Sequence, residues 1–74
     1  TALRERLTAL DAELIRLVAE RQRLSQDIAR VKRASGSPTR DFRRERDVLM
    51  NARARAESLG VPPGVAEAIL RLLI

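Results

Sequence analysis

Residues 2–34 read ALRERLTALDAELIRLVAERQRLSQDIARVKRA, and the spacing of their apolar side chains decides the fold. Leu3, Leu7, Leu10, Leu14 and Leu17 alternate by four and three positions, and Leu24, Ile28 and Val31 continue the stripe. This is a heptad seam, so the spacing predicts one long helix over about residues 2–34 that lies against another helix. The group Ser35-Gly36-Ser37-Pro38 ends it, because glycine tolerates the terminating conformation and proline cannot continue a helix. A helix of that length spans roughly 50 Å, whereas a compact monomer of 74 residues is only about 30 Å across. The helix overhangs any monomeric globule and leaves its seam wet, so a dimer is expected.

Working outward, Asp41 is a good N-cap for a second helix over about residues 42–58, which Gly60 closes. Its stripe is Phe42, Leu49, Ala52, Ala56 and Leu59. Pro62-Pro63 opens a third helix over about 63–74, with Val65, Ala66, Ile69, Leu70, Leu72 and Leu73 as its apolar face. Leu72-Leu73-Ile74 stops in mid-pattern without a cap, so this helix is expected to continue past Ile74 in a longer gene product. The fold class is all-α, one domain of three helices per chain with a long first helix.

Composition narrows the function. A chain this short buries only about 60% of its unfolded surface and usually needs a disulfide, a metal or a partner. Cysteine and histidine are both absent, which removes disulfides, thiol nucleophiles, the usual zinc ligands and the commonest general base together. Oligomerisation remains. No apolar run approaches the roughly 20 residues of a membrane span, and no signal-peptide core is present, so a cytoplasmic protein without a membrane partner is expected. The net charge of +5 comes from fourteen arginines and one lysine against ten acids, a balance that attracts anions. Phe42 is the only aromatic residue, which argues against a stacking platform for nucleic acid.

Three charges break the pattern. The seam of the first helix calls for an apolar side chain between Leu17 and Leu24, and Arg21 stands there. The second helix calls for one between Phe42 and Leu49, and Glu45 stands there. A buried guanidinium needs an anionic partner. Two readings follow: Arg21 and Glu45 pair within the core or at a seam edge, or both line a polar pocket in the helical bundle, where bundles place ligand sites. Lys32, the sole lysine, favours the pocket. It lies eleven residues beyond Arg21, three turns plus about 20°, so the two share a face roughly 16 Å apart. Ser25 and Ile28 lie between them, and that face suits a ligand of small-metabolite size. Arg4 is some 25 Å from Arg21 along the helix and reads as a surface residue unless a partner chain brings it to the site. The run Arg40, Asp41, Arg43, Arg44, Glu45, Arg46 and Asp47 reads as a solvated first turn with local ion pairs, from which Arg44 and Glu45 are free to turn inward.

The stretches Leu3-Arg4-Glu5-Arg6 with Leu10-Asp11, Leu17-Val18-Ala19-Glu20-Arg21, Ile28-Ala29-Arg30-Val31-Lys32 and Pro38-Thr39-Arg40-Asp41-Phe42-Arg43-Arg44-Glu45-Arg46 together resemble the all-helical (AroQ class) chorismate mutases. The resemblance runs over essentially the whole chain without a gap. It implies an intertwined homodimer of three-helix protomers with two equivalent sites, and the rearrangement of chorismate to prephenate in aromatic amino-acid biosynthesis. By the family pattern, Arg21 and Arg4 of the partner subunit bind the two substrate carboxylates. Lys32 donates to the ether oxygen of the breaking C–O bond and helps hold a carboxylate. Asp41 and Glu45 handle the ring hydroxyl with Arg44 nearby, and Ile28 and Ile74 supply apolar wall. No cofactor or metal is implied, because a concerted Claisen rearrangement needs neither nucleophile nor proton shuttle. The family also carries a serine and a glutamine or glutamate further along the third helix, past the point where this sequence stops.

Two rivals stand beside this reading. An isochorismate–pyruvate lyase on the same scaffold binds a nearly identical dianion, although Asp41 and Glu45 fit the mutase better. A non-catalytic basic helical dimer that binds anions or nucleic acid predicts a steep salt dependence, but the arginines are scattered among acids and mark out no recognition helix. The sequence is equally compatible with a free-standing enzyme and with a domain fused to another enzyme of the aromatic pathway.

Overall fold

The computed structural model describes residues 1–38 and 41–74, so Thr39 and Arg40 of the charged turn lie outside the described residues. Among the described residues there are three α-helices and no strand: α1 (Ala2–Ala34), α2 (Phe42–Leu59) and α3 (Pro63–Leu73). They fall into two compact units, residues 1–37 and 38–74.

The first unit is α1 with its caps. The Thr1 hydroxyl accepts the Arg4 N–H at 3.2 Å, satisfying one of the four donors that every helix start leaves over. At the other end Gly36 adopts φ 76°, and the Gly36 and Ser37 N–H groups return to the Arg33 and Lys32 carbonyls at 3.2 and 2.9 Å. That pair of bonds is a Schellman motif, and its left-handed residue is why glycine stands there. Arg16 bridges Glu13 and Glu20 on the flank away from the apolar stripe, and Arg30 pairs with Asp27. All these partners are exposed, so each pair is worth under about 1 kcal/mol. The stripe itself is bare. No residue of α1 is buried, and its eight apolar positions are 48% (Leu17) to 74% (Leu3) exposed.

The second unit is a helical hairpin. Asp41, extended at φ −126° and ψ 100°, caps α2 by accepting the Arg44 N–H at 3.1 Å. Gly60 closes α2 at φ 74°, and the Val61 N–H reaches the Ala56 carbonyl at 2.9 Å. Pro62 and Pro63 then start α3 where a missing N–H costs nothing. The short connection forces α2 and α3 to run antiparallel, and they pack on each other. Ala56, 3% exposed, is the buried residue of the contact, and the half-buried Ala52 lies one turn before it. Small side chains along that line let the backbones approach. Across the pair, Arg53 Nη1 meets Glu67 Oε2 at 2.9 Å, and Arg71 Nη2 meets the other oxygen of Glu67 at 3.1 Å. Glu67, only 28% exposed at its side chain, is thus held from both helices.

Candidate functional site

The site residues of α1 follow from helical geometry alone. Four residues of α1 are half-buried, Val18, Arg21, Ala29 and Lys32, and at 100° per residue they form a single stripe. Two of the four are cations. Their sequence neighbours Gln22, Arg23, Val31 and Arg33 are exposed, so the two charges are drawn down from solvent while comparable ones beside them are not. Arg21 is not left unpaired. Ile28, 57% exposed, lies about 20° from Arg21 around the axis, and Ser25 about 40° on the other side. Arg21, Ser25, Ile28 and Lys32 therefore occupy one face over roughly 16 Å, two charges separated by a short apolar and hydroxyl-bearing floor.

Arg4 does not join this face within one chain. It is exposed, in the first turn of α1, where its backbone N–H and carbonyl meet the Thr1 and Thr8 hydroxyls. On the opposite flank of the helix the Arg16 guanidinium holds the Glu13 carboxyl below the usual carboxylate range and is itself raised by it. A shallow depression over Arg16, Ala19, Glu20, Arg23 and Leu24 lies there too. It contains none of the expected site residues.

In the second unit Asp41, Arg44 and Glu45 are gathered into the first turn of α2. Asp41 has the capping role already described, Arg44 is exposed, and Glu45 is half-buried and not left unpaired. Ile74, 46% exposed, follows the last turn of α3, with its N–H on the Leu70 carbonyl at 2.9 Å. The Arg53–Glu67 bridge marks the antiparallel register, and stepping outward from it brings Ile74 about level with residue 46, beside the first turns of α2. The hairpin thus collects Asp41, Arg44, Glu45 and Ile74 at one end. The Arg53–Glu67–Arg71 cluster was not anticipated from sequence. Its only signal was the i,i+4 pair of Glu67 and Arg71 in a helix with no other acid.

Chemically, the α1 face offers a planar cationic fork at one end and a compact ammonium at the other. A fork suits bidentate carboxylate recognition, and an ammonium suits a single oxygen that gains charge. The hairpin end, taken by itself, carries two carboxylates able to accept from a hydroxyl.

Comparison with known proteins covers nearly the whole chain. The family model for chorismate mutase type II matches residues 3–74. A T-protein of Enterobacter agglomerans is 39% identical over 71 residues, 96% of this chain and 19% of that protein. A bifunctional chorismate mutase/prephenate dehydratase of Escherichia coli K12 is 48% identical over 48 residues, 65% of this chain and 12% of that protein. A chorismate mutase of Methanocaldococcus jannaschii is 28% identical over 72 residues, 97% of this chain and 73% of that protein. The chain thus spans about a fifth or less of the T-protein and the bifunctional relative. No solved structure gives a significant match.

Proposed function

The chain belongs to the type II chorismate mutase family, and from that premise we propose that it rearranges chorismate to prephenate, working as a homodimer. The observation that carries this reading is the α1 face, where Arg21 and Lys32 are drawn half out of solvent about 16 Å apart on one side of a single helix. In the proposal Arg21 clamps one substrate carboxylate and Arg4 of the partner subunit clamps the other. Lys32 donates to the ether oxygen. Asp41 and Glu45 accept from the ring hydroxyl beside Arg44, and Ile28 and Ile74 wall the site.

The reaction asks for little else. The rearrangement breaks one C–O bond and forms one C–C bond in a single concerted step, so no group on the protein is consumed. Acceleration comes from holding the substrate in its compact reactive shape and from stabilising the charge that grows on the ether oxygen. A million-fold acceleration, the low end for enzymes, corresponds to about 8 kcal/mol. Two carboxylate clamps fix the shape, and the Lys32 contact strengthens only as the C–O bond breaks, which is where an interaction raises kcat.

The bare stripe of α1 supports the homodimer. Full burial of a leucine, isoleucine or valine side chain contributes about 1.5 to 3 kcal/mol, and eight such positions run the length of α1 more than two-fifths exposed. A second α1 with the same heptad seam covers them. Among the described residues no helix is long and apolar enough to cross a membrane, and the proposal takes the cytoplasm as the working compartment.

The test is chorismate disappearance with prephenate identified as product, for the parent chain and Lys32→Ala together, with isochorismate as the competing substrate. Turnover of chorismate that collapses in Lys32→Ala supports both the activity and the donor. Pyruvate release from isochorismate in place of prephenate formation from chorismate would replace the mutase with a lyase.

A further inference from the structure

The ion pairs of α1 join residues three or four apart on one helix, as Arg16 does with Glu13 and Glu20. Such pairs fix nothing beyond their own turn. Arg53 and Glu67 are fourteen residues apart and join two helices. Glu67 Oε2 accepts from Arg53 Nη1 of α2 at 2.9 Å, and Oε1 accepts from Arg71 Nη2 of its own helix at 3.1 Å. A carboxylate gripped on both oxygens is fixed in direction as well as in distance. The faces that the two helices turn from solvent carry Val48, Leu49, Ala52 and Ala56 on α2 and Ala66, Leu70 and Leu73 on α3. Apolar contact of that kind is non-directional. Ala56 and the short connection set which turns meet, but small apolar faces leave α3 room to turn about its own axis. The Glu67 bridge resists that turning.

We infer that Glu67 is a positioning residue for the proposed site: tied to Arg53, it keeps the face of α3 that carries Ile74 turned toward the first turns of α2. The inference rests on the chorismate reading above, in which Ile74 walls the site that Asp41, Arg44 and Glu45 help to form. Ile74 follows Glu67 by seven residues, two turns less about 20° and roughly 10 Å along the axis. The direction of Ile74 is therefore set by the direction of Glu67. Side chains reach about 5 to 6 Å from a helix axis, so a 30° turn of α3 carries the Ile74 side chain about 3 Å sideways. Glu67 itself stays clear of the substrate and acts through Ile74. Without the bridge only a fraction of molecules presents Ile74 correctly. Substrate selects that fraction, so KM rises by its inverse, while saturating substrate restores the competent form and kcat holds.

The experiment compares the parent with Glu67→Gln, Arg53→Gln, their double variant and Arg71→Gln. Glutamine matches both residues closely in helix propensity, so the helices themselves are preserved. Two readouts are taken: kcat and KM for chorismate, and the isoleucine methyl resonances of the substrate-free protein. Glu67→Gln and Arg53→Gln are each expected to raise KM about two- to fivefold, the range for an ion pair of this exposure, with kcat unchanged. The double variant goes no further than the larger single effect, because both substitutions remove one tie. Arg71→Gln leaves the bond between the helices in place and keeps the parental KM. In the substrate-free spectra the Ile74 methyl moves in Glu67→Gln and Arg53→Gln, while that of Ile15 on α1 keeps its position. An unmoved Ile74 methyl, or a parental KM in Glu67→Gln, overturns the inference, and parental turnover then leaves the mutase reading standing. A lower kcat at constant KM signals fewer folded molecules and overturns it too, making the bridge purely structural. A parent chain that neither binds nor converts chorismate overturns the mutase reading, and the inference with it.

Discussion

At the scale of single residues, the signal lies in where side chains contradict their surroundings. Arg21 and Glu45 occupy heptad-like positions that call for leucine, and Lys32 is the one lysine beside fourteen arginines. All three are half-buried in the structure, while most charges beside them are exposed. This separates two kinds of mutant. Lys32→Ala is expected to lower kcat by two to three orders of magnitude, the cost of about one lost transition-state donor, with Tm within a degree or two. Arg21→Ala is expected to act mainly on KM, because a carboxylate clamp holds substrate and transition state alike. Steady-state kinetics beside thermal melts check both, and a Lys32→Ala protein as active as its parent sinks the mechanism. Pattern-breaking makes these residues legible in the sequence, because a charge on an apolar stripe needs no tertiary information to stand out.

At the scale of the elements, Asp41 carries two assignments that substitution can pull apart. Its carboxylate caps α2 by accepting the Arg44 N–H, and the proposed site asks the same side chain to accept from a ring hydroxyl. Asparagine caps a helix nearly as well as aspartate, and alanine does not. Asp41→Asn should therefore keep the parental Tm, while Asp41→Ala loses about 1 kcal/mol of stability, read as a lower midpoint in urea. If both variants lose turnover to a similar degree, the loss belongs to the charge and not to the cap. An Asp41→Asn protein with undiminished kcat/KM confines Asp41 to capping. Gly60 offers a purely structural counterpart. It sits at φ 74° with open space where a Cβ would go, so Gly60→Ala should cost about 1 to 2 kcal/mol through backbone conformation alone and spare activity per folded molecule.

The helices and their ends are legible in the sequence for the same reason that these variants are predictable. Heptad spacing, Asp41, Gly36, Gly60 and the Pro62-Pro63 pair all act locally, through φ angles and nearest-turn hydrogen bonds. The Arg53–Glu67 bridge is not legible there, because it depends on which turn of α2 faces which turn of α3. That register is set by the close approach at Ala56 and the length of the connection, and neither is written into the period of either helix.

At the scale of the whole molecule, the bare stripe of α1 and the distance from Arg4 to Arg21 pose the same question. One helix cannot bring two arginines about 25 Å apart onto one small ligand, but two chains related by a twofold axis can, since each residue then meets its counterpart's neighbourhood in the partner. Two measurements follow. The melting temperature of the parent should rise with protein concentration, as it does for any dimer whose folded state is tied to association. Leu14→Glu, which places a charge on a stripe position 52% exposed in the single chain, should shift the protein to monomer in sedimentation equilibrium and abolish turnover.

A mixing experiment distinguishes a shared site from two separate ones. With chorismate held well below the raised KM of either variant, Arg4→Ala and Arg21→Ala should each show little turnover as homodimers. In the mixed dimer, the protomer with Arg21→Ala donates an intact Arg4 to the partner, which retains its own Arg21, so one complete site of the two is rebuilt. Unfolding and refolding an equimolar mixture pairs chains at random, half of the dimers are mixed, and about a quarter of the parental activity should return. Recovery near that fraction requires the two arginines to act across the interface. Demonstrated heterodimers without recovery would place both arginine functions within one chain or remove Arg4 from the site. The seam of α1 would then be explained by association alone.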